Sequence, residues 1–157
     1  MSNFSNDKTN NSAEASAADI RLAAMNLLAR REHSLQELRQ KLSRRFADSP
    51  FLETSMERLT QENLQSNARF AYSYAQSRSD KGYGPVRICH ELGQRGLSDT
   101  EVSEAMSELE MNWREAAAGV LKKKFGTAPA TDLKDKARRM RFLQYRGFSS
   151  EHYHHLI

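Results

Sequence analysis

The feature that most constrains the fold of this chain is an internal repeat of about 50 residues. When the sequence of 157 residues is compared with itself at shifts of 50 and then 51 residues, apolar and turn positions coincide in three segments. The equivalent positions are Ile20, Phe70 and Leu121, then Leu42, Leu92 and Leu143, and finally Arg45, Arg95 and Arg146. A unit this small cannot bury its own apolar face and must stack on a neighbour. The repeat therefore predicts a tandem array.

Two of the repeats also share a turn sequence almost letter for letter. Residues 95–98 read Arg-Gly-Leu-Ser, and residues 146–149 read Arg-Gly-Phe-Ser. Glycine supplies the positive φ that ends a helix, and serine can cap the next helix. The repeat is imperfect, since Arg139 stands where Leu38 and Ile88 are found. Any three amphipathic helices can be slid into rough agreement, but the twin turns at equivalent places argue against that alternative.

Local signals predict that each repeat is helical. The chain has only three prolines and seven glycines and lacks runs of Val, Ile and Thr, so helix is the default. Ser34 and Glu37 form a capping-box sequence, Pro50 and Pro85 suit a first helical turn, and Asn63 suits a left-handed helix end. We predict an all-α fold in which tandem repeats of a three-helix, helix-turn-helix-like unit form an elongated, curved, right-handed array.

The same signals divide the chain into a tail and three units. Residues 1–17 are rich in Ser, Asn and Ala and bury little apolar surface, so we predict a disordered N-terminal tail. The first helix is expected to begin at Asp19, which can cap it. We place the first unit at residues 18–64, the second at residues 65–112 and the third at residues 113–157.

The charge balance favours an acidic partner. The formal net charge is +4, and the first nineteen residues are net negative, so residues 20–157 carry about +6. Basic surfaces gain affinity for nucleic acids by releasing counterions from phosphates. Many helical proteins are equally basic for solubility alone, so the charge favours a nucleic acid or nucleoprotein partner without requiring one.

Signatures of catalysis, cofactors and membrane insertion are missing from the sequence. There is no GxxxxGK[ST] phosphate loop, dinucleotide-binding fingerprint or nucleophile elbow, so we expect neither an enzyme nor a bound cofactor. His152 and His155 lie one helical turn apart, but two ligands do not make a metal site. Cys89 is the single cysteine, and no apolar run reaches the ~18–20 residues of a membrane span. We therefore expect a cytoplasmic protein without membrane contact.

Every predicted unit contributes cations that could contact an acidic partner. The candidate binding residues are Arg31, Arg45, Arg78, Lys81, Tyr83, Arg87, Arg95, Arg138, Arg141 and Arg146. If the units stack in register, the equivalent arginines 45, 95 and 146 would recur along one side and could follow a phosphate backbone or an acidic groove. The alternative is that each of these arginines only interacts with the dipole of the helix it ends. Tyr83, between two glycines, is a candidate for stacking unless it folds into the core.

Several motifs resemble those of the RecX family. They are Arg-Phe-Ala at 69–71, Ser-Arg-Ser at 77–79, Lys-Gly-Tyr-Gly-Pro at 81–85, Glu-Leu at 91–92, Phe-Leu at 142–143 and Tyr-Arg-Gly-Phe at 145–148. The resemblance covers roughly residues 20–157. Two positions depart from it: Asn63 stands where the family usually has glycine, and Gln65 where it usually has a larger apolar residue. Asn tolerates the left-handed conformation, so we expect a looser but intact junction there.

This resemblance implies tandem three-helix repeats and a regulator that docks on RecA filaments on single-stranded DNA. Such a protein would limit filament growth, ATP hydrolysis and the recombinase and coprotease activities of RecA, in DNA repair, homologous recombination and the SOS response. It would be a monomer when free, and direct contact with DNA stays open. The rival is a sequence-nonspecific nucleic-acid-binding helical protein that acts without RecA. A helix-turn-helix transcription factor is less favoured, because three similar units single out no recognition helix.

Overall fold

The computed structural model describes the backbone of residues 7–157 and the side chains from residue 16 onward. This part of the chain forms nine α-helices and one short 3-10 helix, without a β-strand. The helices are α1 (Asp7–Arg30), α2 (Leu35–Phe46), α3 (Leu52–Gln61), α4 (Asn67–Asp80), α5 (Pro85–Gln94), α6 (Asp99–Glu108), α7 (Trp113–Phe125), α8 (Leu133–Arg146) and α9 (Ser150–Tyr153), and the 3-10 helix is His154–Leu156. The all-α prediction is confirmed.

Helix α1 begins at Asp7, well before the predicted start at Asp19. The prediction of a disordered tail over residues 1–17 is therefore wrong from residue 7 onward, while residues 1–6 lie outside the described residues. The segment before Asp19 has few apolar residues, but it is rich in alanine, the strongest helix former. Extending an existing helix orders only one residue for each new hydrogen bond, whereas starting a helix orders several residues for the first bond. Helix α1 can therefore continue beyond the part that packs against other helices.

The chain forms two compact units, Met1–Phe70 and Ala71–Ile157. In the first unit, α1, α2 and α3 pack on one another. Their shared core consists of Ile20, Ala24, Leu38, Leu42, Leu52, Met56 and Leu59. Helix α2 begins with the predicted capping box: the Ser34 hydroxyl accepts from the Glu37 N–H at 3.1 Å, and the Glu37 carboxylate accepts from the Ser34 N–H at 3.2 Å.

Side-chain hydrogen bonds hold the two positions of the first unit that depart from the RecX pattern, a buried one at Gln65 and an exposed one at Asn63. Gln65 is only 2% exposed, yet its amide nitrogen donates to the His33 carbonyl at 3.2 Å and its oxygen accepts from the Thr60 hydroxyl at 2.9 Å. Asn63 has a φ of +58°, as predicted, and its side-chain oxygen accepts from Arg69 at 2.9 Å. A buried polar group with its partners in place carries no large desolvation penalty.

In the second unit, α5 packs against α6, and α7 packs against both α8 and α9. The core around α7 consists of Ala117, Leu121, Leu143, Phe148 and Tyr153. Across both units, the apolar positions that the repeat made equivalent are all buried: Ile20, Phe70 and Leu121, and Leu42, Leu92 and Leu143. The sequence repeat therefore marks core positions correctly.

The position at which the repeat fails is buried as well. Arg139 replaces the apolar residue of the other repeats, and its side chain is only 9% exposed. Its guanidinium forms an ion pair with Asp135 at 3.2 Å and donates to the Ala128 carbonyl at 3.0 Å. The aliphatic stem of arginine can fill apolar space while its charged head finds partners.

The α8–α9 turn docks onto the α4–α5 loop through backbone hydrogen bonds. The Gly84 N–H donates to the Arg146 carbonyl at 2.8 Å, and the Val86 N–H donates to the Gly147 carbonyl at 2.9 Å. A Cβ added to Gly147 would lie 2.3 Å from the Cβ of Arg87, and one added to Gly84 would lie 2.5 Å from the Gly147 oxygen. The two backbones are therefore too close for any side chain at either glycine.

We expect Gly147→Ala to lower the free energy of unfolding by about 3–5 kcal/mol, because the substitution combines positive-φ strain with overpacking. Gly147 has a φ of +98°. The matched control is Gly126→Ala, since Gly126 has a φ of +79° but nothing within 4 Å of an added Cβ. Because its ψ of −166° places Gly126 in a backbone region almost exclusive to glycine, the control should lose about 1–3 kcal/mol from backbone strain alone. Urea denaturation followed by circular dichroism measures both, and equal losses would contradict the close-approach argument.

Candidate partner-binding site

The candidate site centres on Tyr83, in the loop between α4 and α5. Three guanidinium groups lie over its ring, with centroid distances of 3.9 Å for Arg78, 4.4 Å for Arg87 and 5.0 Å for Arg146. Each such cation–π contact contributes about 0.5–1 kcal/mol at an exposed site and more when it is desolvated. Tyr83 is half-buried beneath these cations, so it neither projects freely into solvent nor enters the apolar core.

Glu91 is the anion that holds two of these cations, Arg78 and Arg87, in place. Its carboxylate accepts from Arg78 at 2.8 Å, from Arg87 at 2.9 Å and from the Tyr74 hydroxyl. Partial burial alone would raise the pKa of Glu91, but the hydrogen bonds from Arg78, Tyr74 and Arg87 lower it to about 2. Burial and the bond to Glu91 raise the pKa of Tyr74 to about 12. Glu91 is thus ionised and Tyr74 neutral at physiological pH.

Arg87, Glu91 and Arg95 are brought together by their spacing along α5. Arg146 reaches the Tyr83 ring from α8 through the turn at Gly147. Arg87 and Glu91 lie four residues apart on α5, a spacing that puts them on the same helix face. Arg95, at the end of α5, donates to the Glu91 carbonyl at 3.0 Å and lies 4.5 Å from the Tyr74 ring centroid. Arg146 arrives from α8 because the turn at Gly147 docks onto the α4–α5 loop. We call Arg78, Tyr83, Arg87, Glu91, Arg95 and Arg146 the arginine cluster.

The arginine cluster carries more positive than negative charge and is bordered by exposed apolar groups. It holds four arginines and a single carboxylate, that of Glu91, which pairs with Arg78 and Arg87. The exposed Lys81 follows directly after α4. Tyr145 is 73% exposed and Val86 is 57% exposed. The Tyr145 ring lies 5.1 Å from the Arg87 guanidinium. Exposed tyrosine beside positioned arginine is the composition of protein-binding hot spots, and the guanidiniums can also bind carboxylates or phosphates.

The predicted residues of the first unit lie outside the arginine cluster and have local partners. Arg31 forms an ion pair with Glu37 at 3.0 Å, and Arg45 lies over the ring of its neighbour Phe46 at 4.8 Å. Arg95 and Arg146, the repeat equivalents of Arg45, also lie over aromatic rings. Because Arg95 bonds a carbonyl at its own helix end, its contacts match the helix-end alternative. That the three equivalents form one contact line stays a prediction.

The predicted residues of α8 are divided between the cluster and the solvent. Arg138 forms an ion pair with Asp135 at 3.0 Å, away from the cluster residues. Arg141 is exposed on α8, one turn before Tyr145. Arg146 belongs to the cluster and also donates to the Lys81 carbonyl at 3.1 Å.

Sequence reasoning did not select two residues that the structure places at the site. Glu91 could have been found, because an acidic residue four positions after Arg87 on a predicted helix indicates an ion pair. The exposure of Tyr145 could not, because it lies in a helix whose buried face is set by contacts with α7 and α9.

The fold and the site define a protein of tandem three-helix repeats with an arginine-rich surface. Three family models match this chain in order: the first three-helix domain of RecX at residues 21–59, the second at residues 66–106 and the third at residues 114–152. The chain belongs to the RecX family. The prediction of tandem three-helix repeats is thereby confirmed.

Curated relatives agree with this assignment over most of the chain. A protein named Regulatory protein RecX from Pseudomonas putida (strain GB-1) is 46% identical over 129 residues, which cover 82% of this chain and 83% of that relative. A protein of the same name from Halorhodospira halophila (strain DSM 244 / SL1) is 41% identical over 141 residues, covering 88% of each chain. This chain is therefore similar to regulatory proteins along most of their length.

Solved structures share the fold. A crystal structure of regulatory protein RecX superposes with a TM-score of 0.76 at 19% identity, covering 98% of this chain and 77% of that chain. A crystal structure of RecX from Lactobacillus salivarius superposes with a TM-score of 0.70 at 19% identity, covering 88% of this chain and 92% of that chain. At this identity the likeness supports the fold alone.

The described residues include neither a membrane-spanning helix nor a metal-binding cluster. None of the helices they form combines the length and apolar character needed to cross a membrane. Nor do three or more His, Cys, Asp or Glu side chains in this part of the chain come together as a possible metal site. His152 instead accepts a hydrogen bond from the Ser149 N–H at 3.1 Å.

We expect Glu91→Gln to lower the free energy of unfolding at pH 7 by about 2–3 kcal/mol. A carboxyl group whose pKa is lower in the folded than in the unfolded protein stabilises the fold at every pH above its unfolded pKa. The wild type should lose this contribution as pH falls from about 4.5 toward the folded pKa of about 2. The difference between the two proteins should therefore shrink by roughly 2 kcal/mol between about pH 6 and pH 3.

The matched control for this prediction is Glu53→Gln. Glu53 pairs with Arg39 at 2.9 Å, but the two side chains are 62% and 43% exposed. An exposed ion pair of this kind should change the free energy of unfolding by less than about 1 kcal/mol. Denaturant titrations at several pH values measure both variants, and a pH-independent loss in Glu91→Gln would argue against the assigned role of Glu91.

Proposed function

We propose that this protein regulates RecA by binding RecA filaments on single-stranded DNA and limiting their growth. ATP hydrolysis and the recombinase and coprotease activities of RecA would fall as a result. The observation that carries the proposal is the match of three successive domains to the RecX family, with curated relatives named Regulatory protein RecX at 41–46% identity.

The surface around the arginine cluster supports a binding role. Arg78 and Arg87 are held by Glu91 and by the Tyr83 ring, and Arg146 by the same ring, before any partner arrives. Little side-chain entropy is therefore lost on binding. Lys81, Arg141 and Tyr145 are exposed nearby and extend the surface with two cations and one aromatic ring. A filament on DNA offers carboxylates and phosphates, both of which positioned arginine binds.

Inhibition of this kind requires no catalytic group. A protein that occupies the end or the side of a growing polymer excludes the next subunit, and one bound molecule then affects many subunits. We therefore expect RecA to be inhibited at molar ratios of this protein to RecA well below one. The regulatory family and the all-helical fold are both compatible with action by binding alone.

The purified protein should suppress DNA-dependent ATP hydrolysis by RecA at a molar ratio well below one, because blocked growth reduces the number of filament subunits. A coupled ATPase assay on circular single-stranded DNA measures this, with electron microscopy to record filament length. An unchanged ATPase rate and an unchanged filament length at an equimolar amount of this protein would contradict the proposal. Tight, strongly salt-dependent binding to bare single strands, equal with and without RecA, would favour the rival nucleic-acid-binding function.

Tyr145→Ala should weaken binding to the filament by about tenfold, the usual effect of removing an exposed aromatic hot spot. The variant should fold as the wild type does, because the Tyr145 side chain is 73% exposed. The control is Tyr72→Ala, which removes another exposed tyrosine, on α4 and outside the arginine cluster. Fluorescence anisotropy with labelled protein and preformed filaments measures both affinities. Equal affinities for Tyr145→Ala and the wild type would remove Tyr145 from the contact surface.

A further inference from the structure

A groove of about 560 Å³ lies beside the arginine cluster in the second unit. Its lining includes Met111, Ala116 and Val120, together with Phe142 from α8. This volume is within the range of small binding sites, and a mostly apolar lining is typical of them. The groove therefore has room for one or two apolar side chains of a partner.

The rim of the groove is cationic. Lys81, Lys123, Lys124 and Arg146 line it, against one acidic lining residue, Asp80. Asp80 accepts a hydrogen bond from Gln76 at 3.0 Å within α4, so it already has a local partner. An occupant should accordingly carry several negative charges around its apolar part.

The aromatic ring in the groove favours a peptide over a nucleotide base. The Arg146 guanidinium lies 5.3 Å from the Phe142 centroid, the Lys124 ammonium lies 5.9 Å from it, and Phe125 makes an edge contact at 5.5 Å. Stacking of a base needs a free aromatic face, and cations already occupy positions over this ring. The other apolar lining groups are aliphatic, and they suit an aliphatic or aromatic side chain of a peptide.

We propose that this groove binds an acidic peptide segment that inserts one or two apolar side chains while its carboxylates pair with the lysine and arginine rim. The segment belongs to the protein partner. Because the inference states how the proposed RecA regulator recognises a protein, it rests on the proposed function. It adds a second contact, next to the arginine cluster and sharing Arg146 with it.

Gly119 provides a way to block the groove without disturbing the fold. It lines the groove on α7, and nothing lies within 4 Å of a Cβ added to it. Gly119→Trp should fill the groove, whereas Gly119→Ala should leave it open and improve helix propensity. Gly93→Trp is the matched control, because Gly93 is an exposed glycine of α5 with equally open surroundings and lies outside the groove.

The probe is a fluorescein-labelled peptide of about 12 residues in which two leucines and a phenylalanine are spaced among glutamates and aspartates, titrated at about 150 mM salt. Gly119→Trp should weaken its binding by about tenfold, and Gly119→Ala and Gly93→Trp by less than about twofold. Lys124→Glu should weaken binding by at least about fivefold more than Lys122→Glu, since Lys122 lies on the same helix but does not line the groove.

Absence of peptide binding by the wild type, or equal binding by Gly119→Trp, would overturn the inference. The inference would also be overturned if Gly119→Trp weakened the binding of a thymidine oligonucleotide but not that of the peptide. The groove would then be a nucleic-acid site.

The RecA ATPase assay separates the two proposals. Groove-dependent peptide binding without any effect on RecA removes the proposed function alone, and inhibition of RecA by a protein that ignores the peptide removes the groove inference alone.

Discussion

The candidate site depends on one backbone contact, the docking of the α8–α9 turn onto the α4–α5 loop. Two N–H groups, from Gly84 in the loop and Val86 in the first turn of α5, donate to two carbonyls of the turn. Gly147 lies so close to Arg87 that no side chain fits there. Because these hydrogen bonds require this separation, the turn holds one position, and Arg146 is carried over the Tyr83 ring. The cluster and the rim of the groove both follow from that placement.

Electrostatics then sets the character of the surface that this contact assembles. Several arginines brought together would repel one another, and the Glu91 carboxylate offsets that repulsion at Arg78 and Arg87. The Tyr74 hydroxyl donates to the same carboxylate and helps to fix its position. The Tyr83 ring stabilises the same cations from another side. The result is a fixed group of cations with surplus charge, which suits recognition of acidic partners better than flexible lysines would.

Much of the fold could be predicted from residue spacing, because its determinants are local. The capping box of Ser34, the left-handed Asn63 and the repeated buried leucines all act through near neighbours or through the helix period. The start of α1 was missed, since low apolar content indicated disorder while alanine content and helix extension favoured helix. The buried Arg139 was also unexpected, and it is explained by Asp135 one turn earlier.

The sequence by itself determined the helices, most of their ends, the buried positions of the repeat and the RecX family. It also supplied a pool of basic residues without separating those that share a site from those with local partners, such as Arg31 with Glu37. Only the tertiary structure decided that Arg78 and Arg146, far apart in the chain, meet over one ring. The physical reason is that charged side chains have no periodic signature of their own, so packing between distant helices selects which of them converge.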